Sequence, residues 1–225
     1  MINITMLSRL FFYPLNYILA NMSSCPVNRA LQTGAEFCDT LEETFVCLEG
    51  DSFLLKRYAV HDLPKQLRDW TFDLVKRNME VMYRQAKCGW SDEEKWQEMF
   101  EDDTNRFLIV FEELTNTPVG FIMFQFCYEE DIKEELVAVV YCMEIQIEKD
   151  WRGKRIGQFL MQQLESVGKQ WLMVKSMLTV FIANQPAYRF YIQLGYKPDE
   201  VSPSQMLSRL EARKYDYEIM SKRLR

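Results

Sequence analysis

Residues 150–159 read DWRGKRIGQF, two glycines and three cations in ten positions. The run before it, YCMEIQIEK, alternates like a strand; the run after it, FLMQQLESVGKQW, repeats apolar residues at helical spacing. A strand that feeds a basic, glycine-containing turn into a helix start offers free N–H groups and the positive end of a helix dipole. Anionic phosphate suits both. Gly153 and Gly157 allow close approach of the backbone, and Arg152, Lys154 and Arg155 add charge. Taken alone, the stretch fits an ordinary basic turn equally well. It has neither the G-K-[ST] of a Walker loop nor the G-x-G-x-x-G of a dinucleotide fold. Nearby, Glu144 sits inside the otherwise apolar run 136–147. Burying a carboxylate there needs a reason, chemical or an ion pair.

The chain that must position these groups has 225 residues, 48% apolar and 14% aromatic, enough for one domain with a real core. Its net charge of -6 argues against general nucleic-acid binding and suits a basic partner. Six cysteines with no C-x-x-C pair indicate reduced thiols. The single histidine, His61, rules out a zinc site built on several histidines, and no metal is expected. It stands before Asp62-Leu63-Pro64, a helix start, and reads as an exposed residue near a cap. The first twenty residues are apolar, but Pro14 and Asn16 interrupt them and they are too short to span a bilayer. Met22 is read as the working start.

Residues 26–48 read as mostly helical, 52–58 as a strand, 64–86 as a long helix. Residues 91–100 read as a helix capped by Ser91 with Glu94 three positions on. Residues 106–113 and 119–128 form a hairpin, 129–135 an acidic connector, 136–147 a long strand. After the basic turn and its helix come a strand at 176–183, a helix at 185–195 and a last strand at 215–222. The order predicts an α+β fold with a mixed sheet. Three regions follow: 1–21, an extension of unclear status; 22–52, a helical segment; and 53–225, the main domain.

Two stretches carry a family resemblance. IQIEKDWRGKRIG resembles the coenzyme A pyrophosphate loop of the GCN5-related N-acetyltransferases, and NQPAYRFYIQLGY resembles their second hallmark. The resemblance implies that superfamily's fold: a mostly antiparallel twisted sheet flanked by helices, with two strands splayed at the acetyl-coenzyme A site. Further stretches, DWTFDLVKRNMEVMYRQAKCGW, YCMEIQIE, MLTVFIANQPAY and SPS followed by DYEI, resemble the NatD type of N-alpha-acetyltransferase. That type acetylates histone tails beginning Ser-Gly-Arg-Gly. The likeness runs from about Phe53 to Arg223. Arg155 replaces a glycine, Met143 a tyrosine and Cys88 an aromatic residue of the family pattern.

By resemblance, backbone groups at Ile145, Gln146 and Ile147 hold the pantetheine. Residues Arg152, Gly153, Lys154, Arg155, Ile156, Gly157 and Gln158 hold the pyrophosphate. Asn184 binds the pantetheine arm, and Tyr191 faces the leaving thiolate. Asn184 also fits a plain helix cap, and Tyr191 plain packing. Freeing an α-amine at pH 7 costs about 1.4 kcal/mol against about 4.6 for a lysine, so a modest base working through water suffices. Glu144, Tyr83 and Tyr141 are placed around that water. The resemblance further implies a peptide groove involving Tyr83, Trp90, Glu129, Met143, Thr179, Ser202 and Tyr217, with Glu129 reading the tail's arginine. For several of these, core packing is the competing reading. Acetyl transfer to lysine or a small amine is one alternative, and a silent module that binds coenzyme A or a tail is another. The expected setting is a monomer in cytoplasm and nucleus, off membranes.

Overall fold

The computed structural model describes residues 25–34, 41–47 and 50–224. The 1–21 extension and Met22 lie outside the described residues. An eight-stranded sheet runs in the order β1-β2-β3-β4-β5-β6-β8-β7. Its strands are β1 (Thr44–Val46), β2 (Ser52–Ala59), β3 (Arg106–Glu112), β4 (Thr117–Glu130), β5 (Leu136–Ile147), β6 (Lys175–Phe181), β7 (Lys197–Pro198) and β8 (Tyr217–Arg223). All neighbours pair antiparallel except β5 and β6. That exception follows from connectivity: helix α4 (Ile156–Gln170) carries the chain from the end of β5 back to the start of β6. The mixed α+β sheet predicted from the sequence is therefore observed.

Both faces of the central strands are covered, which is why β3, RFLIVFE, is buried at every position. On one face lie α1 (Pro26–Leu31), α4 and α5 (Gln185–Gln193), packed on Phe124, Phe126, Val140 and Leu178. On the other, α2 (Lys65–Gln85) and α3 (Asp92–Phe100) pack on Phe107, Ile109, Phe121 and Met123. The Ser91 hydroxyl accepts the Glu94 N–H at 3.3 Å and starts α3 as its sequence predicts. Helix α2 is tied to the end of β5 by a bidentate pair: Arg77 Nη1 and Nη2 lie 3.0 and 2.9 Å from the two Glu148 oxygens. Trp70 Nε1 adds a bond to Glu148 at 3.0 Å.

Segment 25–34 is fixed by the buried guanidinium of Arg106. Nη2 donates to the carbonyls of Thr33 (2.9 Å) and Leu31 (3.3 Å), and Nη1 to that of Asp103 (2.8 Å). The helical reading of 26–48 is corrected: the helix ends at Leu31, and Thr44–Val46 adds an edge strand to β2. The connector is also shorter than expected. Glu129 and Glu130 belong to β4, paired with Val137 and Leu136. Asp131 forms the turn itself, its Oδ1 accepting the N–H groups of Lys133 (2.8 Å) and Glu135 (3.0 Å). The sequence reading missed β7 and two one-turn helices, α6 (Pro203–Met206) and α7 (Arg209–Ala212). His61 is exposed, with Nε2 3.1 Å from Asp103. No disulfide joins the described cysteines.

Candidate active site

Strand β5 carries a bulge. Its pairing with β4 runs from Gly120↔Ile147 to Met123↔Glu144, then resumes at Phe124↔Cys142, leaving Met143 as an extra residue. One extra residue reverses the alternation of everything beyond it. Glu144 and Gln146 consequently face α2 and α3, on the same side as Tyr141, which bonds Thr179 at 2.5 Å. A second irregularity lies beside it. The parallel β5–β6 ladder begins at Val139↔Lys175 and ends at Cys142↔Leu178. Beyond that point β5 follows β4 and β6 follows β8, so the two strands part. Helices α4 and α5 both begin at this opening, where open sheets with parallel strands place their ligands.

A cleft of about 850 Å³ passes through the gap. One end is lined by Arg152, Gly153, Gly157 and Gln158 and the other by Tyr83, Glu98, Glu144 and Thr179; Tyr191 and Asn184 line it too. At the first end, Gly153 has φ +84° and Arg155, the residue before α4, has φ +64°. The first helical bond is Phe159 N–H to the Arg155 carbonyl at 2.9 Å. The N–H groups of Ile156, Gly157 and Gln158 therefore open outward, as in the first turn of any α-helix. The loop's cations are partly spent inside the protein. Lys154 pairs with Asp51, holding that carboxyl below its usual range. Arg152 Nε donates to the Ile147 carbonyl (3.2 Å) and Nη2 to Asn78 Oδ1 (2.8 Å). An anion here would meet backbone N–H groups and the helix start more than three free side chains.

At the other end lies a buried ionic cluster. Lys95 Nζ is 2.8 Å from Glu98, 3.2 Å from Glu144 and 3.0 Å from the Tyr83 hydroxyl. It also sits 4.7 Å from the Tyr83 ring centre. Burial alone would lower the Lys95 pKa, but Glu98, Tyr83 and Glu144 outweigh it and raise it well above the usual lysine value. Burial raises the Tyr83 hydroxyl, which stays protonated. Glu144 Oε2 accepts from Gln146 Nε2 at 3.0 Å. One cation between two carboxylates leaves one net negative charge facing the cleft. That arrangement attracts an amine and offers its proton an acceptor.

The model of the acetyltransferase (GNAT) family matches residues 72–196, more than half the chain. The chain belongs to this family. Solved structures show the same fold at low identity. An acetyltransferase of the GNAT family from Staphylococcus aureus superposes with TM-score 0.55 at 12% identity, covering 77% of this chain and 99% of that one. The PaiA N-acetyltransferase of Thermoplasma acidophilum, solved in complex with coenzyme A, gives 0.51 at 16%, covering 76% and 98%. NAA60 of Arabidopsis thaliana, in complex with a bisubstrate analogue, gives 0.54 at 11%, covering 75% and 98%.

Within this GNAT acetyltransferase, the candidates Glu144, Tyr83, Tyr141, Tyr191, Met143, Thr179, Asn184 and part of the Arg152–Gln158 loop line one cleft. Two of the competing readings also hold. Asn184 Oδ1 caps α5, accepting the Ala187 N–H at 3.3 Å and leaving its NH₂ group as the donor. Glu144 is an ion-paired strand residue. The Ile147 carbonyl, expected to serve a ligand, is held by Arg152. Four substrate candidates do not line the cleft. Trp90 packs edge-on against Tyr83 at 5.4 Å between ring centres. Ser202 is buried, its hydroxyl 2.6 Å from Glu218 and accepting the Ile219 N–H at 2.9 Å. Tyr217 stacks edge-on with Tyr215 at 5.6 Å, and burial pushes its hydroxyl up to about 12. Glu129 lies on β4 beside Cys127, with Lys175 and Asp199 as its charged neighbours.

Lys95, Glu98 and Asn78 were missed. A signal existed for one of them: Lys95 and Met99 share a helix face four residues apart, so a lysine stands in a buried stripe. Cys142 lines the cleft, but burial raises its thiol, which keeps it protonated and a poor nucleophile.

Proposed function

We propose that this GNAT acetyltransferase is an N-alpha-acetyltransferase of the NatD type, which moves acetyl from acetyl-coenzyme A to the N-terminal amine of histone tails beginning Ser-Gly-Arg-Gly. One observation carries the reading: a single cleft joins a phosphate-suited helix start to a buried, net-negative carboxylate cluster. The donor set fits coenzyme A. Backbone N–H groups at 156–158 suit the pyrophosphate, and the Asn184 NH₂ group suits the amides of the pantetheine arm. The cosubstrate supplies the activated acetyl group. The chain's own residues orient the amine and take its proton.

Glu144 and Glu98 draw in the protonated terminus, and Glu144 accepts its proton through water. Tyr83 and Tyr141 hold that water. Tyr191, protonated because burial raises its hydroxyl, donates a hydrogen bond to the departing thiolate. The stretch 69–90 supports the NatD assignment by resemblance, and the charge of -6 suits a basic tail. No helix among the described residues is long and apolar enough to cross a membrane. Cytoplasm and nucleus, and a monomeric state, belong to the same reading.

Mass spectrometry of a Ser-Gly-Arg-Gly peptide incubated with enzyme and acetyl-coenzyme A tests it. One added acetyl on the free terminus, and none on an N-blocked peptide, is the expected result. Product from an N-blocked peptide that carries a lysine means a lysine acetyltransferase, and product from an added small amine alone means a small-amine one. The lysine clamp on Glu144 favours a second reading, a silent module. Coenzyme A binding without thiol release in the same incubation would establish that one.

A further inference from the structure

Asn78 stands between the two ends of the cleft. Arg152 Nη2 donates to its Oδ1 at 2.8 Å, and its own Nδ2 donates to Gln146 Oε1 at 3.0 Å. Gln146 Nε2 then donates to Glu144 Oε2 at 3.0 Å. Both amides turn their oxygen toward the guanidinium and their NH₂ toward the carboxylate. This polarity alone satisfies both ends: flipping either amide sets donor against donor or acceptor against acceptor. Dipoles aligned between a cation and an anion strengthen each other. The geometry is held from outside, because the bidentate Arg77–Glu148 pair sits one residue from Asn78 and two from Gln146.

We propose that Asn78 and Gln146 are positioning residues that couple the Arg152 loop at the start of α4 to the Glu144 carboxylate at the far end of the cleft. The acetyltransferase reading supplies the purpose of this coupling, but the coupling itself needs no ligand. An anion that draws Arg152 away frees the Asn78 carbonyl and weakens the hold of Gln146 on Glu144. By reciprocity, the charge on Glu144 alters anion affinity at the loop. The two ends of the cleft would then report their occupancy to each other before chemistry begins.

The test follows Glu144 directly, by carboxyl-carbon NMR in the ligand-free protein. Other ionisable groups face it: Tyr83 from α2, Lys95 and Glu98 from α3, Cys142 on its own strand and Tyr191 from α5. Arg152→Ala is expected to shift the Glu144 carboxyl-carbon resonance, because the hold of Gln146 on Glu144 Oε2 weakens. In an Asn78→Ala background the same change should do nothing. Gln146→Leu provides a second background should Asn78→Ala fail to fold. Equal shifts with and without the relay would show a through-space effect and overturn the proposal, as would no shift in the wild-type background. Calorimetry with coenzyme A follows. Glu144→Gln should change its affinity about threefold, again only with Asn78 intact. If the resonance shifts obey the relay but coenzyme A does not bind, the proposed function falls and the relay stands.

Discussion

Tyr141 and Glu144 face the same side of the sheet although they stand three residues apart on one strand. Only the extra residue Met143 makes this possible. Deleting it restores strict alternation and forces either the charged segment or the Tyr141 segment to the wrong face. An unpaired buried charge costs several kcal/mol against a total stability of about 5–15. The deletion should abolish soluble, cooperatively folding protein. Met143→Ala keeps the bulge and should lower the melting temperature by only a few degrees. Circular dichroism melts of both variants check this.

Lys95→Met removes the cation from between Glu98 and Glu144. Losing one partner of a buried pair costs about 3–5 kcal/mol. Lys95 has its pKa raised in the folded protein, so its contribution is complete below the unfolded lysine value and fades only as pH rises through the raised one. Between pH 5 and 8 the wild-type cluster should be insensitive to pH. In the variant, two facing carboxylates take up a proton more readily, so stability should recover as pH falls from 8 to 5. Urea unfolding at both pH values would expose a flat profile if the cluster is not coupled.

Glu129 has its carboxyl raised to about 7 from 4.5, chiefly by burial. Asp199 and Glu130 add to the shift, while Lys175 and the Cys127 thiol oppose it. A raised carboxyl stabilises fully below its unfolded value and loses that contribution as pH rises through the folded one. The window is therefore pH 4.5–7, and its full extent is worth about 3 kcal/mol. Glu129→Gln should flatten this part of the stability profile and gain most on the wild type at pH 8. Parallel slopes for the two proteins would mean that Glu129 is ionised throughout.

Arg155 occupies the left-handed region at φ +64°, ψ 9°, where glycine is at ease. Arg155→Gly should relieve about 1 kcal/mol of strain and raise the melting temperature by about 2–4 °C. It should also weaken coenzyme A binding modestly, because a cation leaves the loop. Gly157→Glu should do far worse. A Cβ there already meets Phe190 Cζ at 3.3 Å, and the new charge faces the phosphate position. Calorimetry with coenzyme A ranks the two; equal affinities would move the phosphate site elsewhere.

The strands rich in apolar residues, the hairpin turn and the Ser91 cap were legible because each is decided by neighbours in sequence. So was the turn into α4. The bulge was not: CMEIQI alternates acceptably in either register, and only pairing with β4 selects one. Lys95 was hidden for a similar reason. A lysine on an amphipathic helix looks solvated until a strand 49 residues away supplies its carboxylate. Trp90, Ser202 and Tyr217 were assigned to a groove by likeness, but aromatic residues and small hydroxyls serve packing and backbone bonding equally well. Residues 129–130 read as a loop because of their charge, whereas ladder partners made them strand.

The Arg106 guanidinium sets a limit on how far the chain can be shortened from its beginning. Its Nη2 donates to the carbonyls at 31 and 33, and Cys25, Val27 and Ala30 fill the core beside it. A version starting after residue 34 would expose a hydrophobic scar and strand a buried cation. A version starting at Met22 removes none of these contacts. The segment 25–34 is thus part of the folded core rather than a removable preface to it.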